Sequence, residues 1–228
     1  MRATLHNLGA RSHVLPTLVG RTRAAALREA RAIRGFEESS DVLVGWNLGS
    51  GGTPVPEYLD TVAEGLTTVL TDRVDVRIEL VGDPERVPSA LRGRERVTIA
   101  SGELEPQALT GWTVHLWTPP ILAGEVVDDL GSLAEVSCAG VPSVLPAASR
   151  GAIDGHVATE LVVTDEERAE EWATALHGLL DDEQLRAQRS RETFFQSRTI
   201  HGSVASKAVV DRFLGWVLYG PERQERKI

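Results

Sequence analysis

The chain has 228 residues, of which 42% are hydrophobic and 25% are charged, ordinary values for a globular protein with a hydrophobic core. Its formal net charge of -9 argues against binding DNA or RNA, where phosphate contacts dominate affinity, and against an anionic membrane surface. No apolar run approaches the ~20 residues of a membrane-spanning helix, and the N-terminus lacks the apolar core of a signal peptide. The single cysteine, Cys138, excludes an intrachain disulfide and fits a reducing compartment. We therefore predict a soluble cytoplasmic protein with no membrane span and no nucleic-acid partner.

Residues 1–40 differ in pattern from the rest of the chain. A short apolar piece from Val14 to Val19 precedes an Ala- and Arg-rich helical stretch from about Thr22 to Ile33, and a polar break follows. We predict a linker and an outer helix that take no part in a central sheet. We interpret the arginines of this stretch as solvated helix residues rather than as a basic patch: Arg11, Arg21, Arg23, Arg28, Arg31 and Arg34.

From residue 41 onward, short apolar runs alternate with helical patterns. The continuous apolar run at 42–46 is typical of a buried parallel strand, and apolar residues alternate with polar ones over 74–81. We predict strands at both places and further strands at 97–100, 114–117, 141–145 and 161–163. Apolar stripes at helical spacing predict helices from about 56, over 129–139, from 164, over 182–197 and over 204–219. Gly140 is placed to end the helix over 129–139, and Thr164 with Glu167 forms a capping-box pattern at the start of the next.

Strands that alternate with helices predict an α/β fold, a doubly wound, Rossmann-like parallel sheet with helices on both faces. We place this domain at residues 41–200 and a C-terminal helix and tail at 201–228, so the chain ends in a helical extension. Ligands of such sheets bind outside the carboxyl ends of the strands, which directs the search for a site to the loops there.

The first candidate loop is Gly49-Ser50-Gly51-Gly52-Thr53. It lies between a predicted strand and a predicted helix, where glycines let the backbone approach an anion and a helix N-terminus offers free N–H groups. It lacks the third glycine of the dinucleotide fingerprint and the lysine of a phosphate-binding loop. Phosphate binding and an ordinary surface turn are both compatible with this pattern.

Two further segments follow other predicted strands. Gly82, in a Val-Gly-Asp sequence, suits a tight turn or a close ligand approach, and an ordinary turn is the default interpretation. The segment from 119 to 140 carries Glu125, Asp128, Asp129 and Glu135, carboxylates that could accept hydrogen bonds from sugar hydroxyls. Solvated helix residues are the plain alternative for these acids.

The sequence gives little support for a metal site or a catalytic nucleophile. The six histidines lack metal-ligand spacing, Ser50 is not in a nucleophile elbow, and we expect no metal and no cofactor. His115 lies inside an apolar strand, where a core histidine with satisfied hydrogen bonds is the safer interpretation. Cys138 is expected to be buried and inert, and the five tryptophans to be packing residues.

The order of these pieces resembles the C-terminal, donor-binding domain of GT-B fold glycosyltransferases of the retaining, group 1 type. The resemblance covers about residues 41–200 and rests most on residues 134–144, "AEVSCAGVPSV", which are similar to the family segment Leu-Glu-Ala-x-Ala-x-Gly-x-Pro-Val. Ile153 to His156 resembles the family's Ile-x-x-Gly turn, and a strand and a helix follow. The resemblance implies a nucleotide-diphosphate sugar as substrate, with Glu135 on the ribose and Gly51, Gly52 and Thr53 near the diphosphate.

Three departures from the family pattern leave alternatives open. The first of the family's two paired glutamates would fall on Val127, which Glu125 and Asp128 only flank. No basic pair follows the glycine-rich loop. The 40 residues before the domain cannot hold an acceptor-binding domain. The first hypothesis is a donor-binding half that works with a separate acceptor-binding chain, in a longer enzyme or in a homo-oligomer. The second is a catalytically degenerate relative that serves as a protein-interaction or regulatory module. The third is another doubly wound enzyme, such as a sugar-nucleotide epimerase.

Overall fold

A parallel sheet of five strands forms the centre of the molecule. The structure is a computed structural model that describes residues 19–36, 42–49, 54–100, 102, 104–122, 125–126, 130–150 and 165–200. The sheet order is β3-β2-β1-β4-β7 and all neighbours run parallel. Its strands are β1 (Val42–Asn47), β2 (Val76–Val81), β3 (Val97–Ala100), β4 (Val114–Leu116) and β7 (Ser143–Val144). Two short strands, β5 (Ile121–Leu122) and β6 (Glu125–Val126), form a separate antiparallel pair.

Six α-helices lie in the described residues and cover both faces of the sheet. They are α1 (Arg21–Arg34), α2 (Leu59–Asp72), α3 (Pro106–Gly111), α4 (Gly131–Cys138), α5 (Ala169–Leu180) and α6 (Glu183–Ile200). The predicted doubly wound, Rossmann-like α/β fold with a helical C-terminal part is therefore confirmed. The predicted strand at 161–163 and helix at 204–219 lie outside the described residues.

The main core lies on the face of the sheet covered by α2 and α5. Alternate residues of each strand point into it because side chains of a strand alternate between faces. Trp46, Ile78 and Leu116 are fully buried there together with Trp172 of α5. Gly65 lets these two helices approach closely, since a Cβ at that position would lie 2.8 Å from the carbonyl oxygen of Ala169.

The opposite face is covered by α1, α3 and α4, and α1 packs against both of the other helices. The remaining strand positions point to this side, including Gly45, Val81 and His115. A second apolar cluster fills the space and includes Leu27 of α1 and Val136 of α4. This face also carries most of the polar side chains that matter for the site.

Helix α1 is more than an outer helix with solvated arginines. Leu27 is fully buried, and Arg31 is only 5% exposed. The Arg31 Nε donates to the carbonyl oxygen of Ala139 at 2.6 Å, and its Nη1 donates to the carbonyl oxygen of Gly35 at 3.2 Å. Burial, with a smaller contribution from neighbouring Arg34, lowers the pKa of Arg31 to about 10. The interpretation of these arginines as solvated is thus wrong for Arg31. Carbonyls at the end of a helix lack a partner within the helix, and Arg31 supplies the donor for that of Ala139 at the end of α4.

Several predicted element bounds differ from the observed ones. Strand β2 begins at Val76 instead of 74, because Val74 stands 85% exposed in a turn that Asp75 and Arg73 hold together through a 2.9 Å hydrogen bond. Helix α2 begins at Leu59 instead of about 56, after a turn. Thr164 of the capping box predicted at 164–167 lies outside the described residues, and residues 165–168 are not helical. Residues 166–167 form a turn in which Asp165 accepts a hydrogen bond from the Glu167 amide, and α5 starts only at Ala169.

Other predicted bounds are close to the observed ones. Helix α4 ends as predicted, since Gly140 takes φ 68° and its amide donates to the Ser137 carbonyl oxygen at 3.0 Å. The Val141 amide donates to the Val136 carbonyl oxygen at 3.1 Å, which completes a Schellman motif. No helix among the described residues is long and apolar enough to cross a membrane.

Candidate functional site

The strand order places a topological switch point between β1 and β4. The chain moves outward from β1 through β2 to β3, then returns to add β4 and β7 on the other side of β1. In open parallel sheets, ligands bind in the crevice at such a point, outside the carboxyl ends of the strands. Asn47 ends β1 and Val81 ends β2, so these residues mark the edge at which a ligand is expected.

The loops that follow β1 and β2 are bound to each other. The Gly49 amide donates to the side-chain oxygen of Asn47 at 2.9 Å, and the Asp83 amide donates to the Gly49 carbonyl oxygen at 3.3 Å. Gly82 has φ 129°, and a Cβ there would lie 2.5 Å from the Gly49 carbonyl oxygen. Gly82 is therefore required for the contact between the two loops. Of the predicted glycine-rich loop, Ser50, Gly51, Gly52 and Thr53 lie outside the described residues.

A cation that the sequence analysis missed lies beside the start of this loop. Arg86 belongs to a 3-10 turn that follows Gly82, and its Nη1 donates to the Leu48 carbonyl oxygen at 3.1 Å. Arg86 lies three residues beyond the Val-Gly-Asp sequence that follows β2, whereas the family pattern has its basic pair after the glycine-rich loop that follows β1. The contact puts positive charge at the carboxyl end of β1.

Glu135 lies on α4 and is held by an arginine of α1. Both the Nε and the Nη2 of Arg23 lie 3.2 Å from the Glu135 Oε2, and the same Nη2 also donates to the Leu104 carbonyl oxygen. The two side chains are 19% and 31% exposed, so the pair lies at the boundary between protein and solvent. Among the described residues, no hydrogen-bond donor is assigned to the Glu135 Oε1. Arg23 thus orients the carboxylate through one of its two oxygens.

The residue before α4 is in an unusual conformation. Leu130 has φ 61°, the left-handed region that a leucine rarely adopts, and it is the sole non-glycine residue with positive φ in the described part of the chain. Strained backbone of this kind costs on the order of 1–3 kcal/mol and tends to occur at functional sites. Asp128, two residues earlier, lies outside the described residues, so its predicted role as a donor-binding carboxylate stays a prediction.

A cavity of about 120 Å³ lies between α1, α3, α4 and the carboxyl ends of the strands. Its wall is largely apolar, and a small number of polar side chains also line it, as is usual for sites that bind small organic ligands. The apolar side chains that line it are those of Val81, Leu104, Leu109, Trp112 and Val136. The polar residues are Arg23, Asn47, His115, Ser132 and Glu135.

His115 is the most unusual of the polar residues that line the cavity. It is fully buried, and its Nδ1 lies 3.1 Å from the Ser143 Oγ, at hydrogen-bond distance. Its Nε2 is buried without a hydrogen-bond partner among the residues that the structure describes. Burial lowers the pKa of His115 to about 3, so the ring is neutral at ordinary pH. The expectation of a core histidine with satisfied hydrogen bonds is therefore correct for one ring nitrogen and wrong for the other.

Trp112 fixes the His115 ring from one side. The two rings stack with centroids 5.6 Å apart and planes 11° apart, and the Trp112 Nε1 donates to the Glu79 Oε2 at 2.6 Å. The indole lies directly over β1 at Gly45, where a Cβ would be 1.9 Å from the ring. The absence of a side chain at this glycine is what makes room for the cavity wall.

The remaining sequence predictions about reactive groups divide into confirmed and untested ones. Cys138 is buried and its thiol pKa is raised by burial, as expected for an inert cysteine. Trp46, Trp112, Trp117 and Trp172 are buried, as expected for packing residues, and Trp216 lies outside the described residues. No group of three or more His, Cys, Asp or Glu side chains among the described residues could hold a metal ion, and the expectation that the chain binds no metal and no cofactor stays a prediction. The side chain of Glu125 lies outside the described part, although its backbone forms β6.

The fold is shared with solved glycosyltransferases. WaaG, a glycosyltransferase involved in lipopolysaccharide biosynthesis, matches with a TM-score of 0.61 and 18% identity over 92% of this chain and 56% of its own. Anabaena HepE in complex with UDP matches with a TM-score of 0.63 and 14% identity over 94% of this chain and 61% of its own. A UDP-forming trehalose-phosphate synthase from Burkholderia vietnamiensis matches with a TM-score of 0.54 and 14% identity over 84% of this chain and 51% of its own.

These neighbours are GT-B glycosyltransferases, and the chain has their type of α/β fold. It spans between half and three-fifths of their length. No protein-family model matches the sequence, and no curated protein matches it. At identities this low the likeness concerns the fold alone, so the function rests on the site.

Proposed function

We propose that this chain is the donor-binding, C-terminal-type half of a retaining, group 1 glycosyltransferase. It would hold a nucleotide-diphosphate sugar and transfer the sugar to an acceptor bound by a second domain, on a longer chain, a separate chain or another copy in a homo-oligomer. The single observation that carries the proposal is the cavity at the switch point with the Glu135 carboxylate beside it. HepE, which shares the fold, has been solved with UDP and with UDP-glucose, so UDP is the natural probe.

The roles of the site residues follow from their chemistry. A ribose carries two neighbouring hydroxyls, and a carboxylate is the acceptor that binds such donors best. Glu135 can offer its Oε1 to the ribose while Arg23 holds the Oε2. The apolar wall formed by Val81, Leu104 and Val136 suits the nucleoside rather than the diphosphate.

The diphosphate is assigned to the loop that begins at Gly49. Backbone N–H groups of glycine-rich loops bind phosphates closely because no Cβ obstructs them. Gly51, Gly52 and Thr53 are the proposed contacts, with Ser50 as an additional hydroxyl donor, and Gly82 keeps the second loop against Gly49. Arg86 adds positive charge at the same edge of the sheet. Asp128 is proposed to lie near the sugar end of the donor.

Calorimetric titration with UDP tests this proposal. We expect saturable binding to the whole chain and at least a tenfold loss of affinity in Glu135→Ala, because hydrogen bonds to charged groups contribute about 1.5–3 kcal/mol. The matched control is Glu64→Ala, since Glu64 is exposed on α2 on the other side of the sheet. Absence of binding to the wild type, or equal affinities of the two variants, contradicts the proposal.

A second function is favoured by one specific contact. Arg23 already occupies one oxygen of Glu135, which is what a degenerate relative would show if an internal ion pair had replaced the ligand. Such a chain would act as a protein-interaction or regulatory module. Transfer or hydrolysis of UDP-glucose by the purified chain, alone or with an acceptor-binding partner, decides for the enzyme, and UDP binding without any turnover decides for the module.

A further inference from the structure

A second pocket lies at the end of the sheet opposite the cavity beside α4. It is lined by Val42, the first residue of β1, and by Thr113, which directly precedes β4, so it lies at the amino ends of these strands. Arg31 and Arg34, both in the last turn of α1, also line it, and we call it the arginine pocket. Among the described residues, Trp112 is the one that lines both pockets. A ligand of the arginine pocket is therefore distinct from a ligand at the switch point.

The arginine pocket carries positive charge that no carboxylate of the described residues balances. None of the residues described as lining it is Asp or Glu. Arg31 interacts with uncharged groups, since its Nε and Nη1 donate to the carbonyl oxygens of Ala139 and Gly35 and its guanidinium lies 5.7 Å from the Phe36 ring centroid. The neighbouring charge of Arg34 contributes to the lowered pKa of Arg31, so the two guanidinium groups are close enough to repel each other. An anion bound between them would remove this repulsion.

The pocket also offers hydrogen-bond donors that the described residues do not use. The Arg31 Nη2 has no partner among these residues and is not one of their buried unpartnered atoms, so water reaches it. The Thr113 Oγ1 accepts from the Leu43 amide at 3.1 Å, and its own proton has no acceptor in the described part of the chain. Arg34 is exposed and has no hydrogen bond or ion pair with the described residues. Its Nη1 lies 3.8 Å from the place of a Cβ at Gly111, another residue of the pocket wall.

These groups fit a phosphate better than other ligands. Guanidinium groups bind phosphate oxygens through short, charge-assisted hydrogen bonds. A phosphate monoester carries a charge of about −1.5 to −2 near neutral pH, which matches the charges of Arg31 and Arg34, whereas a carboxylate would balance one of them. The Thr113 hydroxyl can donate to a further phosphate oxygen. Cations are repelled from the same place.

We propose that the arginine pocket binds a phosphate group, free or carried by a small metabolite, through the Arg31 Nη2, the Arg34 guanidinium and the Thr113 hydroxyl. Arg31 and Thr113 are held in position by their contacts with Ala139 and Leu43, so most of the site exists before the ligand arrives. This site goes beyond the proposed function and does not depend on it, because none of its three ligand-binding residues lines the cavity beside α4.

Calorimetric titration with inorganic phosphate, in chloride buffer of constant ionic strength, tests the site. We expect saturable binding to the whole chain and at least tenfold weaker binding to Arg34→Ala, which loses charge-assisted hydrogen bonds. Because Arg34 is exposed, this variant is expected to keep its fold. The matched control is Arg21→Ala, which removes the same charge from an exposed position in the first turn of α1 and should change the affinity by less than about twofold. Equal losses in the two variants overturn the proposal.

Glycerol 3-phosphate, with glycerol as its control, identifies the source of the phosphate group. Binding at least tenfold tighter than that of inorganic phosphate supports a phosphorylated metabolite, and equal or weaker binding supports free phosphate. Absence of saturable binding for both phosphate probes overturns the proposal.

The phosphate site can be separated from the donor site by experiment. Glu135→Ala should leave the affinity for phosphate unchanged, and phosphate should bind equally well to the UDP-saturated chain. Loss of phosphate binding in Glu135→Ala, or competition between phosphate and UDP, would place the phosphate at the donor site and overturn the proposal. Failure of UDP to bind, while Arg34→Ala still abolishes phosphate binding, contradicts the proposed function alone.

Discussion

The buried imidazole of His115 makes the stability of this protein depend on pH in a way that can be calculated. The ordinary pKa of histidine is 6.5 and burial lowers that of His115 to about 3. Between these two values the unfolded state binds a proton that the folded state does not, so stability rises with pH across this window. The contribution is fully present above pH 6.5 and is lost as the pH falls toward 3.

The expected magnitude follows from linkage. For one such group, the free energy of unfolding falls by about 1.4 kcal/mol for each pH unit below 6.5. Lowering the pH from 8 to 5 should therefore reduce it by about 2 kcal/mol through His115 alone. Any folded-state pKa below about 4 gives nearly the same value at pH 5, because the folded ring is then almost entirely neutral. The prediction therefore depends on the burial of the ring more than on its pKa value.

Urea unfolding at pH 8 and pH 5 measures this effect. In His115→Phe the loss between the two pH values should be about 2 kcal/mol smaller than in the wild type, while other titrating groups contribute equally to both proteins. Comparing losses cancels any constant cost of the substitution, and His115→Gln can replace the phenylalanine variant if that one does not fold. Equal losses of free energy of unfolding in the wild type and the variant would show that the His115 ring is solvated or charged in the folded protein. Its burial as a neutral ring would then be refuted.

Three further predictions concern the elements around the cavity. Gly45→Ala should destabilise the protein by about 1–3 kcal/mol, because its Cβ would lie 1.9 Å from the Trp112 ring. The control Gly178→Ala, with open space at its Cβ, should be neutral or stabilising by up to about 1 kcal/mol. Urea unfolding compares the two variants, and equal effects on the free energy of unfolding would contradict the packing of the indole. Arg23→Ala should weaken UDP binding about three- to tenfold by releasing the Glu135 carboxylate, and tighter binding would mean that Arg23 competes with the ligand. Arg31→Met should lower the free energy of unfolding by about 1–3 kcal/mol, because it leaves a buried carbonyl at the end of α4 without a hydrogen bond. Thermal and urea unfolding measure the change. A loss below about 0.5 kcal/mol, the range usual for surface substitutions, would refute the role of Arg31 as the donor to that carbonyl.

The strands and the end of α4 could be predicted because their causes are local. Apolar runs at 42–46 and 97–100 and the alternating pattern up to Val81 correspond to strands of the sheet. Gly140 ends α4 in the left-handed conformation that the sequence suggested. In contrast, the start of α5 was placed too early, because Asp165 forms a local side-chain turn with the Glu167 amide instead of a helix cap.

The candidate site could be predicted only in part, because its geometry depends on contacts between distant residues. Glu135 was identified from a segment pattern, but its partner Arg23 lies 112 positions away and belongs to a helix that the sequence placed outside the domain. Likewise, whether a histidine in an apolar strand is satisfied depends on what faces both of its nitrogens. Ser143 of the neighbouring strand β7 faces one of them, and the other is buried without a hydrogen-bond partner among the described residues.

A crystal structure of the full chain with UDP tests the central claim most directly. The account predicts the nucleotide in the cavity beside α4, with the ribose hydroxyls within hydrogen-bond distance of the Glu135 Oε1 and the diphosphate at the loop that begins at Gly49. UDP bound elsewhere on the chain, or a cavity still empty at UDP concentrations that saturate binding in solution, would contradict it.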